Sequence, residues 1–79
     1  MINEKIFIQK LNDDLESMER NRNAYADATN LDEEQLYWKS YLMDSLSYYV
    51  RYETMLLFGY DVVKDDNNKI VCLKSVYEE

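Results

Sequence analysis

The sequence predicts an α+β fold, mainly α: a two-helix antiparallel hairpin followed by a C-terminal two-stranded β-hairpin. Three observations predict it. The 79 residues contain no proline and a single glycine, Gly59, so long helices meet few natural breaks. Before Gly59 apolar residues recur at helical spacing, and after it two β-branched runs flank a polar turn. With no long linker, internal repeat or low-complexity segment, residues 1–79 read as one domain.

In the first helix, expected from about Asn3 to Ala28, the residues Ile8, Leu11, Leu15, Met18, Arg22 and Tyr25 follow a 3-4-3-4-3 spacing. This is one narrow apolar seam broken by Arg22, so the helix buries one side only. The stretch "TNLDEEQL" then carries helix-start signals. Thr29 or Asn30 can accept free backbone N–H groups, and Asp32, Glu33 and Glu34 fall in the electropositive first turn. A second helix is expected from about Leu31 to Phe58, ended by Gly59 in the left-handed conformation. Strands are expected at Tyr60–Lys64 and Lys69–Tyr77, joined through Asp65, Asp66, Asn67 and Asn68, with Asn67 or Asn68 taking positive φ.

The second helix is apolar almost all the way round. Six of the eight tyrosines lie between Tyr37 and Tyr60. At 100° per residue, Tyr37, Tyr48, Tyr52 and Met55 all fall within about 40° of Tyr41 in one stripe, and Trp38, Leu42, Leu46, Tyr49 and Leu56 form a second stripe. Val50, Leu57 and Met43 widen the combined arc to about 240°. An amphipathic helix needs a little over 100°, so two faces await cover. The leucine-rich stripe is expected to be core. For the tyrosine stripe two readings stand, core or partner interface, because an apolar ring with a polar tip suits a half-wet contact. Cys72, between Val71 and Leu73, is expected to be a small core residue.

Sixteen acidic and nine basic residues give a net charge of −7, which repels nucleic acid and anionic membrane and favours basic partners. Asp13, Asp14, Glu16, Glu19, Asp27, Asp32, Glu33 and Glu34 stand against only Arg20 and Arg22, so this segment carries −6 of the −7. Histidine is absent and cysteine single, which removes the usual zinc sites, Ser-His-Asp triads and Cys-His dyads. No cofactor is expected. Neighbouring carboxylates such as Asp13 with Asp14 point about 100° apart on a helix and read as a solvated face. "DDNN" at 65–68 lacks the spaced ligands, central glycine and terminal glutamate of a calcium loop. The opening "MINEKIFIQKLNDD" holds a short apolar-rich run and then acids, so neither a secretory nor a membrane-spanning segment is expected, and the expected location is cytoplasmic.

In "LYWKSYLMDSL", Ser40, Met43, Asp44 and Leu46, with Leu31 and Leu36 before them, resemble the Ser-Gln-Glu-Leu-Asp signature of the small helical-hairpin phosphatases of the sporulation phosphorelay. Tyr41 and Leu42 replace the signature's Gln and Glu, and the strands after Gly59 have no counterpart there. The resemblance implies hydrolysis of an aspartyl phosphate through Ser40 and Asp44, and it is carried as the alternative. In size and acidity the chain resembles accessory proteins of phages and mobile elements, anti-restriction and anti-CRISPR proteins among them. That second resemblance implies an inhibitor and assigns no residues.

The expected function is that of a small acidic non-enzymatic interaction protein. It would inhibit by occupying a basic surface of a larger protein, such as a nuclease or other nucleic-acid-binding protein, through phosphate mimicry. The expected partner-binding residues are Asp13, Glu16, Glu19, Asp27, Asp32, Glu33 and Glu34 for charge, with Tyr37, Tyr41, Tyr48 and Tyr52 as anchors. The over-wide apolar arc also makes a homodimer one expected outcome, and a dimeric regulatory module a further alternative.

Overall fold

A computed structural model of the chain describes residues 3–77. Helix α1 (Glu4–Ala26) and helix α2 (Leu31–Leu57) form an antiparallel hairpin, and strands β1 (Tyr60–Lys64) and β2 (Ile70–Ser75) form a two-stranded antiparallel sheet packed against both helices. The fold class, order and hairpin topology are those expected from the sequence. The first helix stops at Ala26 rather than Ala28, and the second strand is shorter than 69–77, leaving Tyr77 in a turn.

Local chemistry sets each boundary. Asn3 caps α1 by accepting the Ile6 N–H at 3.2 Å. At α2 the cap is Asn30, whose side chain accepts the Glu33 N–H at 2.9 Å. Glu33 in turn accepts from the Thr29 N–H and hydroxyl, which closes a reciprocal capping arrangement. The helix ends at Gly59, with φ of +88°, a region that costs a side-chain-bearing residue about 1–2 kcal/mol. In the β-turn Asp65 Oδ1 accepts from the N–H groups of Asn67 and Lys69, and Asn68, rather than Asn67, takes the positive φ of 65°.

The core is small, as the length of the chain requires. Leu11 from α1, Tyr48 and Met55 from α2 and Ile70 from β2 are buried, and Phe7, Ile8, Leu15, Met18, Tyr52, Val62 and Leu73 pack around them. Every layer therefore contributes to one cluster. Asn12 fastens the sheet to α1 beside it, donating to the Ile70 carbonyl at 2.8 Å and accepting the Ile70 N–H at 2.9 Å. An amide side chain here replaces a neighbouring strand, satisfying both backbone groups of a buried residue.

Two expectations are overturned. Cys72 is exposed. Val63 pairs with Cys72 while Lys64 pairs with Ile70, so Val71 is an extra, bulged residue. The bulge breaks the alternation of faces: Ile70 points inward, Val71 and Cys72 outward, and Leu73 inward again. The leucine-rich stripe of α2, expected to be core, is also exposed, with Leu42, Met43, Leu46, Tyr49 and Val50 all open to solvent. The tyrosine stripe takes the buried position instead.

Replacing Asn12 by alanine is expected to lower unfolding free energy by about 1–3 kcal/mol, because the part-buried Ile70 N–H and carbonyl lose their partner. Chemical denaturation checks this; a change of a few tenths of a kcal/mol would show that the amide does not hold the sheet.

Candidate protein-interaction surface

The orientation of α2 follows from polar groups at its contact with α1. Asp14 on α1 accepts from Arg51 as an ion pair and from Ser47 at 3.4 Å, both on α2. Asp44 on α2 accepts from Ser17 and, at 2.7 Å, from Asn21, both on α1. The exchange is reciprocal. Its basis is a spacing that both helices share: an aspartate, a serine three residues on, and an amide or guanidinium four further, at Asp14, Ser17 and Asn21 and again at Asp44, Ser47 and Arg51. Positions three, four and seven apart share a helix face, so two antiparallel copies of the pattern bring each carboxylate against the other helix's donors. On the helical wheel of α2, Asp44, Ser47 and Arg51 fall together in the polar remainder outside the apolar stripes. The shared spacing is the signal that could have placed them between the helices.

With its polar arc turned to α1 and its tyrosine stripe turned to the sheet and core, α2 has only the leucine-rich face left for solvent. Leu46 is 67% exposed and Leu57 86%. Leu36, Trp38, Leu42, Met43, Tyr49 and Val50 are each about half exposed or more. Eight such side chains, at about half of roughly 200 Å² each, present on the order of 800 Å². That exceeds the roughly 300–600 Å² of the largest apolar patch on a typical monomer.

The eleven residues expected to bind a partner separate into two groups. Asp13, Glu16 and Glu19 are exposed along α1, and Asp27 and Asp32 are exposed at the tip of the helical hairpin. Glu34 is half-buried, as is Glu33, which is engaged in the cap. The tyrosines turn inward. Tyr48 is buried in the core and Tyr52 packs against it, the two rings stacked at 6.1 Å. Tyr37 and Tyr41 are half-buried, and Tyr41 stacks on Trp38 at 5.6 Å. Tyr48 thus lies out of reach as an anchor, because its ring fills the space where all three layers meet. The exposed apolar area lies on the other side of the same helix.

An open cleft of about 520 Å³ between α1 and the β-turn is lined by Leu15, Glu16, Glu19, Arg22, Tyr41 and Lys69, among others. Its charges are mixed, and Arg22, which interrupts the apolar seam of α1, forms part of its wall. Among the described residues, no group of three cysteine or carboxylate side chains is arranged to hold a metal ion, and no helix is long and apolar enough to cross a membrane. Asp44, the aspartate singled out by the phosphatase resemblance, has its carboxylate occupied by Ser17 and Asn21. Comparison of the chain with protein families, with curated proteins and with solved structures finds no match.

Tyr52 shows how a phenol serves at the edge of this core. Its hydroxyl donates to Asp61 Oδ1 at 3.0 Å, and that bond, with desolvation and the carboxylate's charge, raises its pKa above the usual 10. A group raised on folding stabilises the protein fully below its unfolded pKa and loses that contribution as pH rises through the folded value. Tyr52→Phe is therefore expected to destabilise by roughly 0.5–1.5 kcal/mol at neutral pH, with the deficit shrinking in strongly alkaline solution. Denaturation of both proteins across that range checks it; a deficit independent of pH would remove the role assigned to the hydroxyl.

Proposed function

We propose that this chain is a non-enzymatic interaction protein in which the outer face of α2 is a docking surface to be covered by protein and the exposed acids of α1 and the hairpin tip select a basic partner. The observation that carries the reading is the inside-out use of α2. A helix spends its polar arc and its tyrosines within the protomer and leaves leucine, methionine and valine in water, an arrangement that costs solubility unless another protein covers it.

The acids supply the second half. Asp13, Glu16 and Glu19 are exposed on α1, and among the described residues the ion pair found is that of Asp14 with Arg51, so these three carboxylates remain available. Successive members drift by about 60° along one side of the helix. Together with Asp27 and Asp32 at the hairpin tip they form a discontinuous negative track, of the kind that occupies lysines and arginines otherwise used for phosphates. The reading is of an inhibitor or adaptor for a basic, nucleic-acid-handling protein in the cytoplasm.

Reversing charge at Asp13, Glu16 and Glu19 together should leave the fold intact, since exposed charges contribute little to stability. Capture from a lysate of the source organism, read by mass spectrometry, should then lose the basic proteins that the unaltered chain retains, and the losses should match those produced by raised salt. An identical set of captured proteins from both would defeat the charge-selection reading.

A further inference from the structure

The exposed face of α2 has a sequence pattern of its own. Leu36, Met43, Val50 and Leu57 recur every seven residues, and Lys39, Leu46 and Glu53 interleave with them in a 3-4 alternation. That is the seam of a helix that packs lengthwise against another helix. All seven side chains are exposed in the protomer, so the seam is not the one that α1 covers. Its two polar members are of opposite sign and sit seven residues either side of Leu46.

We infer that a second copy of this chain closes the face, α2 packing antiparallel on α2 about a two-fold axis at Leu46, with Lys39 of each protomer facing Glu53 of its partner. The inference rests on reading this face as a docking surface and adds the occupant. Antiparallel pairing about position 46 sets Leu46 against itself, Met43 against Tyr49, Leu42 against Val50 and Leu36 against Leu56, with Leu57 meeting Gln35 at the ends. It also makes two Lys39–Glu53 pairs. Parallel pairing would oppose lysine to lysine and glutamate to glutamate, which is unfavourable, so the charges choose the direction.

The area agrees. The exposed side chains of this face, on the order of 800 Å² in all, set an upper bound that reaches the roughly 800 Å² per partner of a standard interface, and a two-fold axis needs a patch complementary to itself. Lys39 and Glu53 cannot reach each other within one helix, being separated by fourteen residues, about 21 Å of rise. Each therefore lacks the other until a second copy arrives. The acidic side of α1 lies on a different helix and stays open in the pair, so the dimer would display two negative tracks to a basic partner.

Sedimentation equilibrium on the full chain tests this. The unaltered protein should be dimeric at micromolar concentration, and Leu46→Glu should be monomeric with an unchanged circular dichroism spectrum, since the substituted side chain lies in water in the protomer. Lys39→Glu and Glu53→Lys should each weaken the dimer by about tenfold or more, and combining them should restore it. A dimer insensitive to Leu46→Glu, or a double reversal no better than the singles, would overturn the arrangement. A monomeric unaltered protein that loses its captured partners on Leu46→Glu would overturn self-pairing and leave the docking surface standing. A monomer whose capture is also unchanged would overturn both.

Discussion

Two carboxylates fix the rotation of α2, and most of the molecule follows from that rotation. Asp14 and Asp44 each cross from their own helix to a pair of donors on the other. Turning α2 to bury its leucines would only exchange one apolar set for another, because Tyr48 and Met55 would leave the core as Leu42 and Leu46 entered. The polar groups break the tie. Asp14, Ser17 and Asn21 would face leucine side chains with no partner, at about 1–3 kcal/mol for each group and more for the charge. Asp14 is only 13% exposed with Arg51 over it, so the ion pair and the Ser47 bond take most of its solvation.

Given that rotation, the tyrosines become the natural fillers. A chain of this length cannot make a deep interior, and residues at the boundary benefit from an apolar ring with a hydroxyl that reaches outward. Tyr52 does so at Asp61, while Tyr48 offers its face to the Lys64 ammonium at 5.7 Å from the ring centroid. Asn12 completes the assembly by holding Ile70 from the side that β1 does not reach. The large aliphatic residues, which have no polar tip to spend, are left exposed on the outer face of α2. Oligomerisation is a common means by which small domains gain the stability that their own cores cannot supply.

Much of the architecture was legible because its signals are local. Gly59, the asparagine before "LDEEQL" and the turn at 65–68 act through their own backbone or that of near neighbours, and each stands where the sequence puts it. Helix rotation is different. Both stripes of α2 are apolar, and ranking them by hydrophobicity favours leucine over tyrosine, which points the wrong way. The deciding information lay in residues that look like ordinary surface, Asp14 with Ser17 and Asn21, Asp44 with Ser47 and Arg51, and only their matched spacing in two helices reveals them. Cys72 was misplaced for a related reason: a single bulged residue, Val71, shifts the alternation that inward and outward assignments depend on. Of the expected contact residues, the acids Asp13, Glu16 and Glu19 of α1 and Asp27 and Asp32 at the hairpin tip are exposed, whereas the tyrosine stripe of α2, for which core and interface both stood open, is turned inward.

The claim that carries the most is the rotation of α2. Nuclear Overhauser contacts in the Leu46→Glu protein would read it directly. The Tyr48 ring protons should show contacts into the cluster of Leu11, Met55 and Ile70, and the methyl groups of Leu42 should show none to Leu11 or Leu15. Strong contacts from Leu42 to the α1 leucines, with Tyr48 silent, would mean that the leucine face is the true core and that the exposed docking surface does not exist.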